Sequence, residues 1–101
     1  MPEMTFLVEW PGGQRQSCYS PSLVMHDYLT TGSSYPVTEF LALVDTALTE
    51  ASERVRAKYG TYCTSAMQQL AEIREAAHGV AGTVRVLSMT PQLPAPQGAS
   101  K

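Results

Sequence analysis

The sequence predicts an α+β domain, a two-layer sandwich in which a helical hairpin covers one face of a three-stranded, mainly antiparallel sheet. Two helical stripes and three strand-like segments carry that reading. Val37, Phe40, Leu41, Val44, Leu48, Ala51 and Val55 recur every three or four residues. That is the spacing of one face of a helix with ~3.6 residues per turn. Gly60 ends the stripe, and a second one follows: Cys63, Ala66, Met67, Leu70, Ile73 and Ala77. A hairpin with so continuous an apolar face must bury it, and the flanking strand-like segments are the large apolar surface left to receive it.

The first of those segments, Met4 to Trp10, alternates strictly, with Met4, Phe6, Val8 and Trp10 on one side. This is the pattern of a half-buried strand. Pro11-Gly12-Gly13 supplies a turn, because proline presets φ at its first corner and glycine accepts positive φ at its end. Gln14 to Tyr19 returns as the second strand of a hairpin. Its polarity (Gln14, Arg15, Gln16, Ser17) places it at the sheet edge, where charge discourages further pairing. Ser20-Pro21-Ser22 breaks that strand, and serine before proline is also a helix-start signature. Leu23 to Leu29 reads as a short helix or irregular turn, and residues 30–34 as a polar loop.

Pro36 opens the long helix, and Arg54, Arg56 and Lys58 near its end suit the negative pole of the helix dipole. The next helix starts between Thr61 and Ser65, where Ser65 and Gln68 have capping-box spacing, and stops near Gly79. Thr83 to Met89 is the third strand. The order is therefore β, β, (short α), α, α, β. The core is expected from Phe6, Val8, Trp10, Phe40, Leu41, Val44, Leu48, Val55, Leu70, Ile73, Val84 and Val86.

At 101 residues the chain makes a single domain, assigned to 1–90. The stretch 91–101, rich in proline, glutamine and small residues, reads as a disordered tail. A formal net charge of -2 gives no basic surface for nucleic acid. No apolar run approaches the ~20 residues of a membrane span, and Met1-Pro2-Glu3-Met4 has no basic or apolar leader character. A soluble, cytoplasmic protein is expected. Cys18 and Cys63, the two cysteines, are expected to be free thiols in a reducing compartment.

Several landmarks occur together: Met1-Pro2-Glu3-Met4-Thr5-Phe6, Trp10-Pro11, Cys18-Tyr19-Ser20-Pro21-Ser22, Asp27-Tyr28-Leu29, Tyr35-Pro36 with Phe40-Leu41, and Arg54-Val55-Arg56-Ala57-Lys58-Tyr59-Gly60 leading to Cys63. As a set, over Met1 to Thr90, they resemble a family of small bacterial nitrogen starvation response proteins. Its genes tend to sit in a cluster with those of a nitrilase, a radical SAM protein, an acetyltransferase-like protein and a flavin-dependent oxidoreductase. The resemblance implies a context of nitrogen limitation and nitrile or cyanide assimilation. It carries no catalytic residue over.

Read for chemistry, Cys63 is the sharpest residue. It stands at or in the first turn of a helix, where unpaired N–H groups would stabilise a thiolate. It also continues the stripe of Ala66, Met67 and Leu70, and burial as a small hydrophobe is the commoner use of such a cysteine. Two thiols are too few for structural zinc, and His26 and His78 show no metal-ligand spacing with them. Asp27, Tyr28, Tyr35 and Glu39 flank the polar loop before the long helix, so that loop is either a recognition surface or ordinary turn chemistry, the latter favoured. Arg54, Arg56 and Lys58, with Arg74, could receive an anion but read better as a solvated helix end. No glycine-rich phosphate loop, nucleophile motif or paired-carboxylate arrangement is present, and no cofactor is expected.

The resulting expectation is a non-enzymatic accessory protein that binds a protein partner, an enzyme of the same gene cluster or a second copy of itself. Tyr19, Tyr28, Tyr35 and Asp27 form its interaction surface. The alternatives are a thiol-dependent role for Cys63 as nucleophile or carrier, and a small-metabolite sensor with a pocket beneath Ser20 to Tyr35.

Overall fold

In the computed structural model, residues 3–60 and 64–91 are described. The elements are β1 (Met4–Glu9), β2 (Arg15–Ser20), a short 3-10 helix (Leu23–Asp27), β3 (Ser34–Pro36), α1 (Val37–Tyr59), α2 (Thr64–Ala77) and β4 (Thr83–Thr90). The class and the two-layer arrangement agree with the reading above, but the sheet has four strands, not three. Its order is β2-β1-β4-β3, with every neighbouring pair antiparallel.

The extra strand is β3, where Ser34, Tyr35 and Pro36 pair with Arg85, Val84 and Thr83 of β4. Three residues are too few to show alternation, and a terminal proline marks an edge or an end, so the segment looks like loop in sequence. Its attachment to β4 is continued by the loop before it. Gly32 N–H donates to the Val86 carbonyl at 2.7 Å, and Val86 N–H donates to the Ser33 carbonyl at 3.0 Å.

β1 is central, and Met4, Phe6 and Val8 all point into the core. A register shift at Leu7/Val8 pairs Leu7 with Ser88 but Val8 with Val86. Leu87 is thus an extra residue in β4, a β-bulge that brings Val84, Val86 and Met89 to the same side. Trp10, just beyond β1, donates its indole N–H to Gln16 Oε1 at 2.9 Å. Its ring meets Phe40 edge-to-face, with centroids 5.7 Å apart at 83°.

Pro36 precedes α1 without a side-chain cap. Instead, the Val37 N–H donates to the Gly82 carbonyl at 3.0 Å. Gly82 has φ +123, and a Cβ there would stand 3.0 Å from Pro11 Cβ, so this close approach requires glycine. Gly60 ends α1 in the left-handed conformation at φ 88, its N–H donating to the Arg56 carbonyl. α2 begins at Thr64, so Ser65 lies inside the helix and is not its N-cap. The 3-10 helix is capped by Ser22, which accepts from Val24 N–H, and not by Ser20. Ser20 Oγ donates to the Ser22 carbonyl at 2.7 Å instead.

α1 and α2 pack on the same face of the sheet and on each other, α2 over β2 and α1 toward β3 and β4. Arg74 of α2 pairs with Asp45 of α1. Ten of the twelve expected core residues are buried. Leu41 and Val55 pack only half-buried on the flank of the stripe, and Met67 is 38% exposed. On α2 the inward row is Ala66, Leu70, Ile73 and Ala77, joined by Gln69, which turns Met67 to the opposite shoulder. Residues 92–101 of the tail lie outside the described residues.

Candidate functional site

The sheet edge at β2 has the most developed polar geometry. Pairing of β1 with β2 alternates, so successive residues of β2 direct their main-chain groups inward to β1 and outward to the edge. The Tyr19 N–H points outward, and its acceptor is a side chain: Gln69 Oε1 of α2, at 2.9 Å. Gln69 is 8% exposed, the one amide side chain in the buried row of α2. Its Nε2 donates toward Glu72 Oε1 at 3.4 Å, and Gln68 Nε2 donates toward Glu72 Oε2 at 3.4 Å.

These residues, with Tyr19 and Ser65, line an open groove of about 260 Å³ between the strand edge and α2. It is small beside typical ligand cavities of about 300–1,000 Å³. Its donors and acceptors are hydroxyl, amide and carboxylate, suited to a polar or cationic group. Its location is beside α2, away from residues 20–35.

At the other end of the sheet, Asp27, Tyr28 and Tyr35 lie around the loop that joins the 3-10 helix to β3. The Tyr28 hydroxyl donates to Glu50 Oε1 of α1 at 2.6 Å, and Glu50 also holds Arg54 at 2.8 Å. The Tyr28 hydrogen bond, and then that from Arg54, holds the Glu50 carboxyl below its ordinary range. The same hydrogen bond raises the Tyr28 phenol above its own. The Tyr35 hydroxyl accepts from Thr30 N–H at 2.9 Å. Both tyrosines are half-buried and brace the loop from within. Tyr19 sits on β2, the opposite edge strand. Of the four residues expected to form one interaction surface, Tyr19 and Tyr35 are therefore on opposite edge strands, while Asp27 ends the 3-10 helix and Tyr28 caps it.

Cys18 faces the helices and is buried. Burial first, and the nearby Glu72 charge second, push its thiol from 9.0 to about 12. It is a protonated core residue at neutral pH. Cys63 lies outside the described residues. His26 Nε2 is 3.0 Å from the Pro91 carbonyl. Of the helix-end cations, Arg54 pairs with Glu50 and Arg56 with Glu53, while the Lys58 ammonium lies over the Tyr59 ring at 5.7 Å. Among the described residues no three of His, Cys, Asp and Glu gather in a metal-holding group. No helix among them is long and apolar enough to cross a membrane.

The face of the sheet turned away from the helices is covered by no described element. It carries Thr5, Arg15, Ser17 and Arg85 exposed, with Leu7, Glu9 and Tyr19 half-buried among them. Arg15 and Glu9 approach to 3.7 Å there.

The model of one protein family, described as nitrogen starvation-induced protein NitG, matches residues 5–89. The chain belongs to that family. The match spans the chain from β1 to β4. No curated protein and no solved structure matches the chain.

Gln69 is the residue of this site that periodicity alone passes over. The signal was present: an amide at a position three after Ala66 and four before Ile73 falls on the buried row, and a buried amide needs partners.

Proposed function

We propose that this NitG-family protein is a non-enzymatic accessory protein of the nitrogen-starvation response that works by binding a protein partner. The partner is an enzyme of nitrile or cyanide assimilation, encoded in the same cluster as a nitrilase. One observation supports the binding reading best. Both helices pack on the same face of the sheet, and the other face presents half-buried Leu7 on the central strand β1 and half-buried Tyr19 on the edge strand β2, among Thr5, Glu9, Arg15, Ser17 and Arg85. An apolar and an aromatic side chain set among polar and arginine residues suit a modest protein interface. The buried, protonated state of Cys18 argues against that thiol as a nucleophile.

The test uses a strain lacking the gene, grown on limiting nitrogen. Wild-type protein is expected to restore growth and to co-purify with an enzyme of the pathway. Leu7→Arg, with an unchanged melting temperature, is expected to do neither. Full rescue by a folded Leu7→Arg protein, with every partner retained, refutes the reading. Association of two copies through the same face is the alternative occupant, and light scattering of the pure protein at micromolar concentration separates the two.

A further inference from the structure

We propose that the outer edge of β2 accepts an extended peptide strand of a partner protein, and that a lysine or arginine of that strand seats in the groove at Glu72. This deepens the partner-binding reading and rests on it. Among the described residues, β2 is the last strand of its side of the sheet. Tyr19 N–H points out from it, and alternation directs the main-chain groups of Arg15 and Ser17 the same way. An added strand would pair with those three residues, the main-chain mode of recognition by strand addition.

The Gln69 carbonyl, 2.9 Å from Tyr19 N, occupies the place that the main-chain carbonyl of such a strand would take. A side-chain amide and a backbone amide are equivalent acceptors. The Tyr19 N–H is then satisfied in either state, and the displaced Gln69 carbonyl turns into the open groove it already lines, where water can bond it. Gln69 is a placeholder that blocks casual edge pairing and can be displaced.

The groove supplies the selectivity. Alternate side chains of an added strand point toward the helix layer, where Tyr19, Ser65, Gln68, Gln69 and Glu72 line about 260 Å³. Glu72 is the charged member of that lining, and the two amides that donate to it stand at 3.4 Å, the long limit of a hydrogen bond. A cationic side chain would give it a short, charge-assisted partner. The helix-side residues of β2 are Gln16, Cys18 and Ser20, so a second copy pairing β2 with β2, helix layers on the same side, would bring no cation to Glu72, and a partner strand with a lysine or arginine fits the groove better. The β3 edge is a poorer site, being three residues long and ending in Pro36.

The experiment titrates the full, isotope-labelled chain with a blocked seven-residue peptide, acetyl-Thr-Val-Thr-Lys-Thr-Val-Thr-amide, and with the same peptide carrying glutamate for lysine. The lysine peptide is expected to shift the Tyr19 amide and to slow hydrogen exchange at Arg15 and Ser17. It should bind about tenfold more tightly than the glutamate peptide, and Glu72→Gln should reduce that preference to less than about twofold. Gln69→Ala, which removes the competing carbonyl, should bind the lysine peptide more tightly than wild type does. Equal binding of the two peptides, shifts confined to other surfaces, or no binding by either wild type or Gln69→Ala at millimolar peptide overturns the proposal. So does dimerisation of Gln69→Ala in light scattering, which would make a second copy the occupant. A cellular partner lost with Leu7→Arg but retained by Glu72→Gln would remove this proposal while leaving the accessory reading in place.

Discussion

Leu48→Ala tests the packing of the hairpin on the sheet most directly. Leu48 is fully buried at the middle of α1, one turn after Val44. Truncation to alanine removes three carbons, at about 0.8 kcal/mol each, or about 2.4 kcal/mol of transfer free energy. The unfilled cavity adds to this, within the observed range of about 2–5 kcal/mol for such changes. With an m-value of about 1–3 kcal/mol/M for a small domain in urea, a loss of about 3 kcal/mol lowers the midpoint by about 1–3 M. Trp10 is the chain's single tryptophan, buried against Phe40, so its emission reports the loss of this core. Val55→Ala is the internal control. Val55 is on the same stripe but half-buried, so its midpoint should fall by clearly less. An unchanged midpoint for Leu48→Ala, or a larger fall for Val55→Ala, would refute the assignment of the stripe's centre.

Other outcomes follow from single groups. Ser52 is buried, and its hydroxyl has no hydrogen-bond partner among the described residues. Ser52→Ala should therefore stabilise the protein by about 1 kcal/mol, read as a rise of several degrees in melting temperature, and a fall would show that the hydroxyl is satisfied. The Cys18 thiol is raised from 9.0 to about 12 in the folded protein. Between those values the unfolded chain has lost the proton and the folded one keeps it. Wild type should thus lose stability relative to Cys18→Ala by up to about 1.4 kcal/mol per pH unit above pH ~9, while below it the difference between the two stays constant with pH. Matching pH profiles would contradict this. Glu50 is held below its ordinary range first by Tyr28. Tyr28→Phe should raise the carboxyl's titration midpoint in carbon-detected NMR, and should weaken the stability that Glu50 adds above the carboxylate range and loses as pH falls. An unmoved midpoint would remove the Tyr28 contribution.

The sequence was most legible where long periodic segments bury one face. The stripe from Val37 to Val55 appears as α1, and the alternation of Met4, Phe6, Val8 and Trp10 appears as β1 with its inward face as expected. The edge position of β2 was legible too, because Arg15 and Ser17 are polar on a strand with one neighbour. What periodicity could not show are features made by a few residues or by contacts distant in sequence. β3 exists because Tyr35 and its neighbours meet Val84, some fifty positions away. The division of the tyrosines has the same origin. Tyr19, Tyr28 and Tyr35 are close in sequence, but β1 and β4 lie between the strands that carry the first and the last.

Gln69 is the residue on which the strand-addition proposal turns. Its neighbours in the buried row of α2 are the apolar Ala66, Leu70 and Ile73. Burying an amide costs free energy unless its groups are bonded. Here that cost is offset by a bond to the part-buried Tyr19 N–H at the sheet edge. The helix therefore supplies, from its buried row, the acceptor for an outward N–H of the edge strand. An aliphatic residue there would leave the donor either orphaned or open to any passing strand. On the strand-addition proposal, the amide would leave it occupied yet exchangeable, and Glu72, one turn along, would give the edge a preference of charge. Edge control and partner choice can thus reside in two side chains of a single turn of α2.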